Sequence, residues 1–335
     1  MSSGFRRHAR LILGLFLFIA AVIGGYFVSQ LRWKHTDVVH DVSFSPDGGS
    51  VASAGDDGTV MIWGTFTGFA RVLPGSSVMV FSVSYSPDGR ILASECWDGA
   101  QSVTELRDPG SGVVRATVGK LRYQTRALRF SPDGTKLAVG GHDVMVWDVT
   151  SWRESIVLKG HTGTVMSLAF SPKGKTLASG YYDGTIKLWD LVTGRERRTL
   201  SVHNGSLYSV CFSPDGKFLA SASSDDFASF DDLAKSGGSP AGNVNLWDVS
   251  SGSVKMKLPS SAQALAVAFS PDGKTLAVGE GYGTVRFWDP SSGRLKGTVQ
   301  ASRCNINAVA YSPSGDILAA GDDDGTVKML RHLPR

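Results

Sequence analysis

Little in this 335-residue sequence suits it to chemistry at a metal or thiol centre. Three cysteines, Cys96, Cys211 and Cys304, lie far apart. None has a neighbour at metal-ligand spacing, and an odd number makes no disulfide framework. The seven histidines form no ligand pair. No glycine loop of the phosphate-cradling kind occurs. The acidic run GDDDG at 321–325 lacks the spacing and the terminal glutamate of a calcium loop. Net charge is only +4, without the concentrated basic face that nucleic acid demands. No cofactor, no metal and no nucleic-acid partner are therefore expected.

Uncharged apolar runs are also scarce, with one exception. Residues 11–28 (LILGLFLFIAAVIGGYFV) carry no charge and follow a basic tail, residues 1–10. As a helix rising about 1.5 Å per residue, this run reaches about 27 Å, close to the thickness of a hydrocarbon core. It is long for the apolar region of a cleaved signal peptide, and no small-residue cleavage site follows it. A transmembrane signal-anchor is the expectation, with a cleaved signal peptide as the alternative. Arg6, Arg7 and Arg10 before the run outnumber Arg32 and Lys34 after it. The positive-inside rule then puts the body of the chain on the non-cytoplasmic side of a membrane.

What is abundant is glycine, 40 residues, and it falls in a pattern. An aromatic residue followed by Ser-Pro-x-Gly occurs seven times, with its prolines at Pro46, Pro87, Pro132, Pro172, Pro214, Pro271 and Pro313. The spacing is near 42 residues, apart from one longer gap between Pro214 and Pro271. Such a period marks one supersecondary unit stacked repeatedly, because a single unit cannot bury both its faces. Each unit reads as four short strands. In the fourth, TVMSLAF, KTLASG, TIKLWD and GRERRTLSV alternate apolar with small or polar residues, and Pro- and Gly-rich turns separate them.

Most units end in Trp-Asp: Trp147-Asp148, Trp189-Asp190, Trp247-Asp248 and Trp288-Asp289, with Trp63-Gly64 close to it. Arg107-Asp108 and Leu330-Arg331 depart. A histidine stands nine residues before the unit's aromatic in three units: His35, His161 and His203. The chain thus resembles the WD-repeat (WD40) β-propeller family over residues 29–335. The resemblance implies an all-β, seven-bladed propeller of four-stranded antiparallel blades, here preceded by one N-terminal transmembrane helix. It also implies that His35, Ser53, Asp57 and Trp63, and likewise His161, Ser179, Asp183 and Trp189, form structural hydrogen-bond chains rather than catalytic triads. The seventh unit has only three strands of its own, so residues 28–35 are expected to supply its fourth and close the ring.

This topology gives the disc two faces. The His-type loops and Asp-Gly turns lie on the top. The Ser-Pro-x-Gly turns lie on the bottom, with basic residues such as Arg90, Lys173, Lys217 and Lys274, and the apolar segment is expected to attach there. In the resembled family, partner contacts lie on the top at the channel mouth. The residue four before each unit's aromatic then gives His40, Phe81, Arg126, Met166, Tyr208, Leu265 and Asn307 as candidates, with Trp97 and Tyr182 from the top turns. The fifth unit carries an extra top-face segment at 225–242, either a packed lid or a binding element.

The expected function is a non-enzymatic, membrane-tethered scaffold, held through residues 11–28, that binds a protein or peptide partner on its top face. An enzyme or small-molecule binder using the channel is one alternative. A structural component of an envelope assembly is another.

Overall fold

The computed structural model describes residues 34–75, 77–160, 163–201, 205–224 and 242–334. The apolar segment 11–28, His161, His203 and residues 225–241 of the fifth-unit insertion lie outside these. Among the described residues no helix is long and apolar enough to cross a membrane.

The described body, from His35 on, is a ring of seven antiparallel sheets built from strands β1 to β27. Blade one holds β1–β4 (39–73), blade two β5–β8 (79–121) and blade three β9–β12 (127–158). Blade four holds β13–β16 (165–201), blade five β17–β20 (207–259), blade six β21–β24 (264–300) and blade seven β25–β27 (306–330). Within each sheet the strands lie side by side in chain order, so every connection is a short hairpin. The first strand of each blade lines the central channel.

The core is divided by blade. Seven apolar clusters occupy the seven interfaces between neighbouring blades. One of them joins Ala308, Ala319 and Val327 of blade seven to Val39, Val42 and Trp63 of blade one, so the ring is closed. In every blade but the second, where Glu95 takes the place, the second strand meets its neighbour through a small residue. Gly140 packs on Val165, Gly180 on Leu207, Gly279 on Ile306 and Gly321 on Val39, and a Cβ on any of these glycines would come within 3 Å of its partner.

The repeated Ser-Pro-x-Gly has two physical uses. In blade one, Ser45 Oγ donates to Asp47 and accepts from the Ser50 amide (2.9 Å), which ties the turn between β1 and β2. Gly48 takes a left-handed conformation (φ 71°). The same glycine also seats the preceding blade. A Cβ on Gly89 would lie 3.5 Å from the Pro46 ring and one on Gly134 3.4 Å from Pro87, and the series closes with Gly48 against Pro313. Each turn thus packs its glycine under the proline of the blade before it.

Among the described residues blade seven has three strands. Of the expected closing segment, residues 28–33 lie outside the description. His35 is not paired as a strand; its amide donates to the Gly325 carbonyl (2.9 Å) in the top turn of blade seven. Arg331 reaches the Thr65 carbonyl of blade one across the same seam.

Candidate functional site at the channel mouth

The inner strands share an irregularity that builds the mouth. In six blades the register of the first strand slips by one residue, and the extra residue is His40, Phe81, Met166, Tyr208, Leu265 or Asn307. In blade three Arg126 stands just ahead of β9. A bulged residue is released from the ladder and re-aimed. All seven side chains line one central channel of about 590 Å³. Trp97 and Tyr182 are not in its lining. They sit one step outward on top turns, Trp97 half-buried and Tyr182 56% exposed. In blade six Tyr282 takes the place of the turn aspartate; it is exposed, with φ 60°.

The seven rim residues are not equivalent. His40 Nε2 bonds Asp56 (2.6 Å), and its ring lies 5.3 Å from that of Phe81. The Arg126 guanidinium also lies over the Phe81 ring, 4.8 Å from its centre, and bonds the Gln124 side chain (3.3 Å). Phe81 is therefore buried against two neighbours, 5% exposed, rather than a free anchor. Met166, Tyr208 and Leu265 form an adjoining arc of largely apolar character. Tyr208 takes a hydrogen bond from Ser224 (3.3 Å), the last described residue before the insertion. Asn307 donates to Asp323 (2.6 Å).

Below the rim is an ion pair that sequence reasoning missed. Arg129 of blade three reaches Asp41 of blade one through both guanidinium nitrogens (2.7 and 3.1 Å). Ser82 of blade two joins them, donating to Asp41 (2.6 Å), and the Val83 amide also donates to Asp41 (3.1 Å). The signal was available. Arg129 occupies the position before the aromatic, where the other units carry Ser43, Ser84, Ala169, Cys211, Ala268 and Ala310. The serines here also stitch neighbouring blades: Ser167 Oγ accepts the Val210 amide and Ser209 Oγ the Val267 amide.

The polar chain of blade one is continuous. Asp57 accepts from His35 Nδ1 (2.9 Å), His35 Nε2 accepts from Ser53 Oγ (2.7 Å), and Ser53 Oγ accepts from Trp63 Nε1 (2.7 Å). One neutral tautomer satisfies every group, and burial holds the His35 pKa below its ordinary value. Ser53 is fully buried, and it is not among the residues that line the central channel. In blade four Trp189 Nε1 and Tyr181 Oη both donate to Ser179 (2.7 and 2.8 Å), and Asp183 accepts from Thr185 (2.6 Å). His161 lies outside the described residues. Blade two replaces this arrangement altogether. Its Arg107, buried where five other blades have Trp, pairs with Glu105 and bonds the Pro74 carbonyl.

The thiols are poor nucleophiles. Burial pushes both Cys96 and Cys211 up to about 12, so neither carries thiolate at neutral pH. No Ser, Thr or Cys among the described residues hydrogen-bonds His40. Among the described residues no group of three or more His, Cys, Asp or Glu is placed to hold a metal ion.

Several curated proteins share parts of this sequence. The periodic tryptophan protein 2 homolog of Dictyostelium discoideum is 29% identical over 160 residues, 46% of this chain and 17% of that protein. The serine-threonine kinase receptor-associated protein of the same organism is 41% identical over 73 residues, 21% and 25% of the two chains. The human WD repeat and HMG-box DNA-binding protein 1 is 25% identical over 160 residues, 47% and 14%. The chain thus spans a quarter or less of the length of each of these relatives. The "WD domain, G-beta repeat" family matches residues 27–64, 68–100, 152–190, 194–229, 252–289 and 293–329. The unmatched stretch includes Arg107, which stands in the Trp position, and the first three strands of blade three. With more than half of its length matched and seven blades closed into a ring, the chain belongs to the WD40 repeat family.

Proposed function

We propose that this chain is a non-enzymatic scaffold, tethered to a membrane through residues 11–28, that holds a protein or peptide partner on the top face of its propeller. Members of the family are typically binding scaffolds. The observation that carries the reading is the ring of rim residues, six of them at bulges. Seven side chains that no sheet ladder needs are aimed into one channel mouth, and they differ from blade to blade while the framework around them repeats. Side chains released from the framework's repeating pattern are where recognition is built.

The tether is supported by the charge-free length of residues 11–28, and the non-cytoplasmic placement by the arginines before it. The bottom face complements a bilayer. Its turns expose Arg90, Lys173, Lys217, Lys274 and Arg294, and Phe66 and Phe69 on the blade-one turn are 77% and 72% exposed. Nucleic acid is left out of the proposed partners because the charged groups lining the channel are only His40, Asp41, Arg126 and Arg129, with Asp41 and Arg129 paired.

The test is in-cell proximity labelling of partners, comparing the native chain with Phe81, Arg126 and Tyr208 all changed to alanine. Loss of a specific set of labelled proteins is the expected result. An unchanged set would refute the top-face reading. Protease accessibility of the propeller in intact cells tests its placement, cleavage from outside being expected. The His40–Asp56 pair is the one feature that favours an enzyme in the channel. A hydrolase screen in which turnover disappears with His40→Ala would move the assignment there.

A further inference from the structure

We infer that the channel mouth selects a partner segment carrying a carboxylate side chain next to an apolar one, with Arg126 receiving the carboxylate. This rests on the top-face reading above and gives its ligand a chemistry.

Charge at the mouth is almost fully compensated within the protein. Asp41 is held by Arg129, Ser82 and the Val83 amide. Asp56 is held by His40, and Asp323 by Asn307. Among the described residues Arg126 has no carboxylate partner. Its polar contact is the neutral Gln124 side chain, and its guanidinium plane rests on Phe81. A guanidinium stacked on an aromatic face is fixed in orientation with its nitrogens at the edge free to donate, the geometry that takes a carboxylate through two hydrogen bonds. A basic segment would find no unengaged carboxylate in the channel lining, whose one acid is Asp41.

The second half of the specificity comes from order around the ring. Arg126 on blade three is followed by Met166, Tyr208 and Leu265 on blades four to six, while His40 and Phe81 fill the other side. An anion at Arg126 therefore sits at the border of an apolar arc. A channel of about 590 Å³ accepts one or two side chains of an extended segment, not a folded domain. A docked acidic residue would place its apolar neighbour against Met166 or Leu265, both partly exposed to the channel.

The test uses the full chain in lipid nanodiscs and a bead-displayed library of acetylated, amidated hexapeptides. One position is varied among Asp, Glu, Asn, Gln, Lys, Arg and phosphoserine, and its neighbours among Ala, Leu, Met and Phe. Enriched sequences are resynthesised and their affinities measured by fluorescence anisotropy. Enrichment of Asp or Glu beside Leu, Met or Phe is expected, with binding weakened about tenfold or more by Arg126→Ala, and with Arg126→Glu turning the preference to Lys or Arg. Melting curves confirm that the variants are folded, and Arg126→Gln serves as a milder replacement if the others are not. Phosphoserine outcompeting Asp and Glu would overturn the carboxylate assignment. So would enrichment of basic or neutral peptides whose binding is lost on changing Phe81 and Tyr208, although the top-face reading would then survive. Absence of any enrichment sensitive to the rim would overturn both.

Discussion

Replacing Glu95 by glutamine should stabilise this protein at neutral pH and above, and remove a pH dependence that the native chain shows. Glu95 lies on the second strand of blade two, at the position where other blades carry Ala54, Gly140, Gly180, Ala222, Gly279 or Gly321. Those small residues meet an apolar side chain of the next blade. Glu95 instead meets Thr125 of blade three, which donates to one carboxylate oxygen, while Thr104 donates to the other (2.5 Å). The carboxyl is fully buried, and desolvation raises its pKa from 4.5 to about 7 despite these bonds. Below pH 4.5 the group is protonated in both folded and unfolded chains, and stability is undiminished. Between 4.5 and about 7 the unfolded chain releases a proton that the folded chain keeps, so stability falls as pH rises. The full loss, about 3 kcal/mol, is reached above the folded pKa. For a ring of this size that lowers the melting temperature by roughly 5 °C. Melting curves of the native chain and Glu95→Gln, taken from pH 4.5 to 8.5 in the same detergent, should converge at the acid end, separate between pH 5 and about 7, and then stay a constant distance apart. Parallel profiles for the two proteins would refute the reasoning, because the group would then ionise in the folded state as readily as in the unfolded one.

His35→Ala should lower stability by about 2–4 kcal/mol, since it leaves Asp57, Ser53 and Trp63 without the group that links them. The lowered pKa of His35 means that its contribution is complete above pH 6.5 and is lost as pH falls below it, an acid-side loss that His35→Ala should abolish in unfolding titrations. Trp189→Phe should cost about 1 kcal/mol more than Trp147→Phe in denaturant melts. The Trp189 indole bonds Ser179, whereas the Trp147 indole has no partner among the described residues because Val139 replaces the serine. Gly325→Ala should destabilise the ring by about 2 kcal/mol or more, combining a φ of 78° with a Cβ placed 2.2 Å from the His35 carbonyl. A melting point unchanged from that of the native chain would show that this turn does not secure the seam.

The blades were legible because their punctuation is physical. A Pro-x-Gly turn in each unit needs its glycine both for a left-handed backbone and for contact with the preceding proline, so the motif cannot drift far. The rim was legible as positions, since the bulge sits at a constant distance from the aromatic, but not as exposure. Phe81 and Arg126 occupy equivalent places, yet one is buried under the other, and only the side chains of adjacent blades decide that. The departures were harder to read. Glu95, Arg107 and Arg129 each break a column of otherwise similar residues. Thr125 and Asp41, the partners of Glu95 and Arg129, are brought to them by ring geometry, which the order of residues along the chain does not display, while Arg107 pairs with Glu105 two residues earlier on the same strand.

His35 has a mechanical consequence. Its amide is bonded to Gly325 of the last blade, while its ring is bonded to Ser53 and Asp57 of the first. A load borne by His35 is divided between both sides of the seam. Blade one is not peeled from blade seven, because tension must break bonds to each of them before either can leave. The histidine works as the pin of a clasp, and the joint where a circular sheet array would first open is the one where load is shared.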